Sequence, residues 1–237
     1  LIDTADSYGP AVSEAIIGEA LHPYPSQVLI ASKAGLVRTG PDAWFPVAQP
    51  RYLRQQAEMS LRRLRLDCIP LFQLHRIDEQ VPLADSLGAL VELRDEGKIE
   101  AIGLCEVGIP EIEEARAITP IATVQNLYNL THRRSEPVVE YCAASGIGFI
   151  PWYPIGGGRL AAAEHRFDDL LRAAHGTPAQ VALAWLLARS EVIMPIPGTS
   201  QISHLEENVG AAEISLTDDQ VAQLTAAGTP HRSRHPV

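Results

Sequence analysis

The stretch "VLIASKAG", residues 28–35, is a run of apolar residues that ends in a lysine. A short apolar run bounded by glycine predicts a buried β-strand. The chain has 17 arginines but only two lysines, Lys33 and Lys98. Lys98 follows Gly97 in a polar turn and is typical of a solvated surface charge. Lys33 closes a buried strand, so the fold must supply it with partners.

The same pattern repeats along the chain, because short apolar segments alternate with segments of helical periodicity. Seven strands are predicted near residues 1–3, 28–33, 69–74, 99–104, 122–126, 147–152 and 192–196. Helix signals lie between them, such as Thr177 as an N-cap followed by Pro178 at the first helical position. The alternation predicts a parallel sheet covered by helices. No linker or change of composition divides the chain, so we expect a single domain over residues 1–237.

Polar or aromatic side chains at the strand ends favour a closed barrel over an open sheet. Six predicted strands end in such residues: Asp3, Lys33, His75, Cys105, Gln125 and Trp152. The carboxyl ends of the strands converge on one mouth in an α/β barrel, whereas distant strands of an open sheet contribute little to one site. The first strand also lacks a following Gly-x-Gly-x-x-Gly motif. We therefore predict a (β/α)8 TIM barrel, and we expect its first strand and first helix to lie before residue 1.

Composition narrows the classes of function. The 237 residues are 46% apolar and carry a formal net charge of -10, which disfavours a nucleic-acid-binding surface. No apolar stretch approaches the roughly 20 residues that cross a bilayer, and we expect neither a membrane partner nor a signal peptide. Three widely spaced cysteines fit a reducing compartment. These features predict a cytoplasmic protein that is a monomer or a weak homo-oligomer, with the unpaired barrel edge as a route to association.

Four residues near the first strand ends could perform proton transfer: Asp3, Tyr8, Lys33 and His75. Tyrosine ionises near pH 10, and a nearby ammonium group lowers its pKa. An aspartate paired with the lysine would keep that ammonium charged and oriented. A histidine can orient a substrate carbonyl by a hydrogen bond. The set suits protonation of an alkoxide that forms when an external hydride donor reduces an aldehyde or ketone.

Each of these residues also has a purely structural interpretation. Asp3 could cap a turn, Tyr8 could pack on a loop rim, and His75 could be a buried core histidine. A metal site built from His75, Asp78 and Glu79 is disfavoured because no second histidine has suitable spacing. The structural interpretations must all hold together at three strand ends, which favours the functional one.

The motifs also resemble those of a known family. The three leading segments are "IDTADSYG" (2–9), "ASKAG" (31–35) and "LHRID" (74–78). Further segments follow in the same order: "IGLCEV" (102–107), "VQNLYN" (124–129), "PWYPIGGG" (151–158), "PIPGTS" (195–200) and "HLEENV" (204–209). Together they resemble the aldo-keto reductases over essentially the whole chain. The resemblance implies a (β/α)8 barrel, NADP(H) bound without a Rossmann domain, and reversible reduction of carbonyls. The expected missing start would be the family's amino-terminal hairpin, first strand and first helix.

The resemblance assigns catalytic roles residue by residue. Tyr8 matches the general acid, Asp3 and Lys33 match the pair that tunes it, and His75 matches the carbonyl-orienting histidine.

The resemblance also assigns a nicotinamide site. Trp152 matches the ring that stacks on the nicotinamide, and Gln125 matches the amide that binds the carboxamide. The chain has Cys105 and Glu106 where the family often has Ser-Asn, and a thiol is a weaker hydrogen-bonding group. The adjoining cofactor segment of the family matches Tyr153, Pro154, Ile155 and Gly156.

A further cofactor segment departs from the family pattern. Where well-studied members place a lysine and an arginine around the 2′-phosphate of NADP, this chain has Gly198 and His204. Hydroxyls and backbone amides before the following helix could still bind a phosphate. The remaining cofactor candidates are Thr199, Ser200 and Gln201, with Glu207 and Asn208 at the adenine. NADP(H) is the expected cofactor, and NAD(H) stays open.

Substrate recognition leaves two alternatives. The segment "VRTGPDAWFP" (37–46) is expected to form a loop over the barrel mouth, with Trp44 and Phe45 as an apolar pocket wall. The same loop could instead pack on a neighbouring helix. The leading hypothesis for function is an NADP(H)-dependent reductase of small-molecule aldehydes or ketones. The alternative is an NADP(H)-binding sensor or regulatory subunit of the same fold with little turnover.

Overall fold

A computed structural model describes residues 1–156 and 168–228, and it divides the chain into two compact units, Leu1–Gln125 and Asn126–Val237. The strands are β1 (Ile2–Asp3), β2 (Ile30–Ala34), β3 (Leu36–Gly40), β4 (Ala43–Pro46), β5 (Ile69–Leu74), β6 (Ile99–Cys105), β7 (Thr123–Leu127) and β8 (Gly148–Trp152). The helices are α1 (Val12–Leu21), α2 (Pro50–Leu64), α3 (Leu83–Asp95), α4 (Ile109–Ile118), α5 (Glu136–Ser145), α6 (Asp168–Ala174), α7 (Pro178–Arg189), α8 (Ile202–Gly210) and α9 (Asp218–Gly228). None of the helices within these two ranges is long and apolar enough to cross a membrane.

The first unit is built on parallel strands in the order β1, β2, β5, β6, β7. One row of residues runs across four of these strands in register: Lys33, Gln73, Gly103 and Thr123. Side chains alternate between the faces of a strand, so residues in one such row point to the same side of the sheet. The row therefore places polar groups from distant parts of the chain next to one another.

The segment between Gly35 and Val47, expected as a loop, is instead an antiparallel hairpin of β3 and β4. The Val47 N–H donates to the Gly35 carbonyl at 3.1 Å and closes its base. Arg38 and Trp44 pair across the two strands. The valine, threonine, tryptophan and phenylalanine of this segment favour extended structure. A turn with Asp42 in the left-handed region (φ 55°) joins the two strands.

The first unit also depends on a close approach of two helices. Gly18 on α1 lies against α2, and a Cβ placed there would be 2.2 Å from the Arg63 carbonyl oxygen. Only glycine allows this contact, so the two helices pack closely over the sheet. The buried core beneath them includes Leu53, Leu64 and Phe72.

One predicted strand is not formed in the second unit. Residues 192–196 form only an isolated bridge, in which Ile193 pairs in parallel with Phe149 of β8. Pro195 and Pro197 lack the N–H that a ladder needs, which explains why pairing stops there. The core of this unit is centred on Trp185, which is fully buried.

Side chains cap the starts of two helices in the second unit, and the first of these caps was predicted. Thr177 caps α7 by accepting from the Gln180 N–H at 3.3 Å, as its sequence position predicts. Thr217 and Gln220 form a reciprocal capping box at the start of α9, with N–H to side-chain distances of 2.9 and 3.2 Å.

Candidate active site

Lys33 is fully buried at the end of β2, and all three donors of its ammonium group have acceptors. Its Nζ lies 2.6 Å from Asp3 Oδ2, 2.8 Å from the Thr4 carbonyl oxygen and 3.2 Å from Tyr8 Oη. The structure therefore brings three of the predicted catalytic residues together. It also explains why an apolar strand ends in a lysine.

Asp3 is held from both sides. Its Oδ2 accepts from Lys33, while its Oδ1 accepts from the amide groups of Gln73 at 3.2 Å and Gln125 at 3.0 Å. Gln125, which the resemblance assigns to the nicotinamide carboxamide, thus donates its Nε2–H to Asp3 in this structure. These contacts place Asp3 in the Lys33 network rather than in a turn cap.

Tyr8 reaches Lys33 because a compact turn follows β1. The Asp6 N–H donates to the Lys33 carbonyl oxygen at 3.1 Å, and the Tyr8 N–H donates to the Ala5 carbonyl oxygen at 3.2 Å. These bonds place the phenol ring with its centroid 4.7 Å from Lys33 Nζ. The position is therefore fixed by the backbone as well as by the hydroxyl.

The electrostatics of Tyr8 differ from the sequence expectation. Burial raises the pKa of Tyr8, the Lys33 charge lowers it, and the net pKa lies above the ordinary value of 10.0. The expectation of a net lowering was wrong because desolvation outweighs the ammonium group. The phenol is consequently protonated at neutral pH, as a proton donor must be.

Lys33 itself stays charged despite its burial. Burial lowers the pKa of Lys33, but the charge of Asp3 and the contact with Tyr8 raise it, and the net pKa is above the ordinary value of 10.5. An ammonium group therefore faces the phenol oxygen throughout the physiological pH range.

His75 directly follows β5, and its backbone N–H donates to the Ala34 carbonyl oxygen at 2.8 Å. Its ring meets the Tyr8 ring edge-on, with centroids 5.8 Å apart. Burial and then the charges of Lys33 and Arg76 lower the pKa of His75 to about 2. The imidazole is therefore neutral. Its Nδ1 is buried without a hydrogen-bond partner among the described residues, so this ring has hydrogen-bonding capacity left for another group.

Asp78 joins two segments of the backbone through hydrogen bonds. Its carboxylate accepts from the Ala48 N–H at 3.1 Å and from the Gln80 N–H at 3.0 Å. Across residues 1–156 and 168–228, no group of three or more His, Cys, Asp or Glu is arranged to hold a metal ion.

Cys105 is the last residue of β6 and Glu106 follows it, in the same unit. The Cys105 thiol is buried, and its Sγ lies 3.9 Å from Gln73 Oε1. Burial raises the pKa of this thiol to about 12, so it remains an uncharged donor. Glu106 adopts a left-handed backbone (φ 55°), and its N–H donates to the Gln125 carbonyl oxygen at 3.0 Å.

The second unit contains the other predicted nicotinamide residues. Trp152 ends β8, and its ring centroid lies 6.2 Å from that of Tyr153. Tyr153 has a positive φ of 59°, which turns the chain away from the strand and leaves its side chain 46% exposed. Pro154 and Gly156 are buried and Ile155 is half-buried. The rest of the "PWYPIGGG" segment lies outside the described residues.

The predicted phosphate segment precedes α8 and is exposed from Gly198 to Gln201. The Gln201 N–H donates to Thr199 Oγ1 at 3.0 Å, which gives the turn its shape. The first turn of α8 receives no hydrogen bond from the side chain of its N-cap residue. Ser200 lies two positions before the helix in the sequence. Backbone N–H groups at such a helix start can bind an anion.

Along α8 itself, the predicted cofactor residues differ in their contacts. His204 is exposed and Asn208 is half-buried. The Thr177 hydroxyl donates to the Glu207 carboxylate, which ties α8 to the start of α7.

The two predicted substrate residues lie on the β3–β4 hairpin. Trp44 is 38% exposed, and the Arg38 guanidinium lies 5.1 Å from its ring centroid. Phe45 is 54% exposed. Their assignment to a substrate pocket stays a prediction.

Sequence reasoning missed a second buried polar group in the first unit, which we call the Arg63 cluster: Asp6, Glu14, Ser32, Tyr52, Ser60 and Arg63. Arg63 Nε lies 2.6 Å from Glu14 Oε2, and the Ser32 hydroxyl donates to the other Glu14 oxygen. Glu14 is fully buried. A glutamate on an otherwise apolar helix face was the available signal.

Gln73 was also missed, although it interrupts the apolar strand "IPLFQLH" two residues before His75. That spacing puts both residues on the same face of β5. A polar residue inside a buried strand was therefore a usable signal.

Comparisons with known proteins identify the family of the chain. The model of the aldo/keto reductase family matches residues 1–229. An uncharacterized oxidoreductase of Schizosaccharomyces pombe is 49% identical over 227 residues, covering 96% of this chain and 74% of that protein. Pyridoxine 4-dehydrogenase of Escherichia coli is 38% identical over 230 residues, covering 94% of this chain and 80% of that protein.

A solved structure shows the same relationship. An aldo-keto reductase from Klebsiella pneumoniae, in complex with NADPH, is 28% identical, with a TM-score of 0.81 over 98% of this chain and 81% of that one. Parallel strands, helical crossovers and these relatives define an oxidoreductase on a (β/α)8 barrel scaffold, which confirms the predicted fold class. The chain belongs to the aldo/keto reductase family.

Proposed function

We propose that this protein is an NADP(H)-dependent reductase that converts small-molecule aldehydes or ketones into alcohols. The observation that carries the proposal is the 3.2 Å contact between Lys33 Nζ and Tyr8 Oη, with Asp3 on the other side of the ammonium group. A phenol and a fully buried ammonium in contact suit proton transfer to a developing alkoxide.

In the proposed reaction, Tyr8 Oη gives its proton to the substrate oxygen as the carbonyl becomes an alcohol. The phenolate that remains is stabilised by the Lys33 ammonium, which Asp3 holds in place. Because the pKa of Tyr8 is raised, the phenol is protonated before each turnover. His75 stays neutral and orients the carbonyl by a hydrogen bond, without exchanging a proton.

The bound cofactor would supply a hydride to the carbonyl carbon. Trp152 would hold the nicotinamide ring, and the exposed turn with Thr199 and Ser200 before α8 would hold a phosphate. The Nδ1 of His75, buried without a partner among the described residues, is a hydrogen-bonding group that a bound ligand could use. The Klebsiella relative binds NADPH, which supports NADP(H) as the cofactor. Gly198 and His204 supply less positive charge than the family's usual pair, so both NADPH and NADH belong in the assay.

The test measures NADPH oxidation with nitrobenzaldehyde, and NADP reduction with pyridoxine because one relative is a pyridoxine dehydrogenase. Tyr8→Phe removes the donor hydroxyl and little surface. We expect kcat to fall by about 10²–10⁴, the usual contribution of general acid catalysis, with an unchanged Kd for NADPH.

Tyr24→Phe is the matched control, because its hydroxyl donates to the Leu64 carbonyl oxygen at 2.7 Å, in contacts separate from Lys33. It should keep the parental kcat. A Tyr8→Phe variant with parental turnover would overturn the proposal. Tight NADPH binding by the parent protein without turnover of any carbonyl would instead favour a sensor.

A further inference from the structure

We propose that Gln73 is a positioning residue of the active site, which holds Asp3, and through Asp3 the Lys33 ammonium, in place for proton transfer by Tyr8. The inference rests on the proposed function and adds to it a residue outside the four assigned catalytic side chains. It stands on the contacts of one fully buried amide.

The orientation of this amide is determined by its neighbours. Gln73 Nε2 lies 3.2 Å from Asp3 Oδ1, and a carboxylate can only accept. Gln73 Oε1 lies 3.4 Å from Thr123 Oγ1 and 3.9 Å from Cys105 Sγ, and both of these groups can donate. A flipped amide would turn its oxygen toward the carboxylate. The side chain therefore has one orientation, and in it the amide N–H points at Asp3.

The sheet is shaped to allow this contact. Gly103 lies between Gln73 and Thr123 in the register row. A Cβ at Gly103 would be 2.3 Å from Thr123 Oγ1 and 2.9 Å from Gln73 Cγ. Any side chain at this position would displace the hydroxyl or the amide. Because Gly103 on β6 has no side chain, Gln73 of β5 and Thr123 of β7 can approach each other across this position.

Gln73 and Gln125 donate to the same oxygen of Asp3, but only one of these amides is assigned to the cofactor. Gln125 is the residue that resemblance assigns to the nicotinamide carboxamide. If Gln125 binds the carboxamide, as the resemblance predicts, Gln73 is left as the amide donor on Asp3 Oδ1. We therefore assign to Gln73 the task of keeping Asp3 directed at Lys33 during turnover.

Two variants test the role of the donor. Gln73→Leu removes it, and kcat should fall between about tenfold and a hundredfold, the size expected when a reacting group is slightly misplaced. Gln73→Glu keeps the shape and can donate to Asp3 only while its carboxyl group is protonated. Its kcat, as a fraction of the parental value, should fall as pH rises, whereas that of Gln73→Leu should stay constant with pH. The Kd for NADPH should change little in either variant.

The control is Ser86→Ala, which removes a buried hydroxyl that donates to the Ala48 carbonyl oxygen at 2.8 Å in the same unit. It should keep the parental kcat, and urea unfolding of all variants separates lost stability from lost activity. Parental kcat in Gln73→Leu would overturn the proposal. So would equal, pH-independent losses in both variants.

Crystal structures of the NADPH complexes of the parent protein and Gln73→Leu give a readout that needs no activity. The proposal expects the Lys33 Nζ to Tyr8 Oη distance to lengthen beyond hydrogen-bonding range in the variant. An unchanged distance would overturn the positioning role, even if the parent protein failed to reduce any carbonyl. Absent turnover in the parent would by itself count only against the proposed function.

Discussion

The first unit contains two buried ion pairs of the same length, and they differ in what lies beyond them. Asp3 and Lys33 are 2.6 Å apart, and so are Glu14 and Arg63. The second pair has hydroxyl groups as its further hydrogen-bond partners. Ser32 donates to Glu14, and the Arg63 guanidinium donates to Ser60 Oγ at 3.3 Å. The first pair has one ammonium N–H left for the phenol of Tyr8.

One strand serves both pairs. Ser32 and Lys33 are neighbours on β2, and successive side chains of a strand point to opposite faces. Ser32 reaches Glu14 of α1, while Lys33 reaches Asp3 of β1. Burial and pairing alone therefore do not identify a catalytic ion pair. The distinguishing feature is an ionisable group in contact with the charge, and three substitutions test this difference.

The largest effect is expected from Lys33→Met. The substitution removes the charge that stabilises the Tyr8 phenolate and leaves Asp3 buried without its partner. We expect a loss of kcat of about 10³ or more, and a loss of about 3–5 kcal/mol in the free energy of unfolding. Steady-state kinetics and urea unfolding measure the two effects.

Lys98→Met is the control for this substitution. Lys98 is half-buried, and it pairs with the exposed Glu96 at 2.7 Å and with Glu58. Exposed ion pairs contribute little, so kcat should stay at the parental value. Similar losses of activity in both variants would contradict the distinction between the two lysines.

The next largest effect is expected from Arg63→Met, and here it should appear in stability alone. The variant leaves Glu14 fully buried without an ion-pair partner, which costs about 3–5 kcal/mol. The kcat of the folded protein should remain parental because neither residue contacts Tyr8 or Lys33. Adding Glu14→Gln should recover part of the lost stability in urea unfolding. A large loss of kcat in the folded variant would place the Arg63 cluster in the catalytic machinery.

The smallest effect is expected at Asp6, and it depends on pH. Burial, followed by the charge of Glu14, raises the pKa of Asp6 from 3.8 to about 7. The folded protein therefore binds one more proton than the unfolded chain between these values. The contribution of this extra proton to the free energy of unfolding is complete below about pH 4 and is lost as pH rises through about 7. The pKa difference corresponds to an upper bound of roughly 4 kcal/mol.

Asp6→Asn removes this dependence. Urea midpoints measured from pH 5 to pH 8 should fall less steeply in the variant than in the parent protein. An identical slope in both would show that Asp6 does not titrate in this range.

Much of the fold followed from local patterns. Alternating apolar strands and helices predicted the parallel sheet, and Thr177 predicted the start of α7. The prediction of a strand at residues 192–196 was wrong, because the prolines of that segment prevent ladder formation. The hairpin that contains Trp44 was expected as a loop, although β-forming residues stand on both sides of its Gly-Pro-Asp turn.

The grouping of the proposed catalytic residues was also predictable, since Asp3, Lys33 and His75 stand at strand ends and Tyr8 follows the first of them. The contacts of Gln73 and Arg63 were not predictable from local patterns. Gln73 is 70 positions from Asp3 in the sequence, and Arg63 is 49 positions from Glu14. Only strand register and helix packing bring such residues together.

The sequence by itself determined which chemical groups are available and at which ends of the strands they stand, because side-chain periodicity is a local property. The tertiary structure decided their partners and their protonation. Desolvation is a property of the whole packed surroundings, and it raises the pKa of Tyr8 where the sequence suggested a lowering. The same burial holds His75 neutral and keeps Lys33 dependent on Asp3 for its charge.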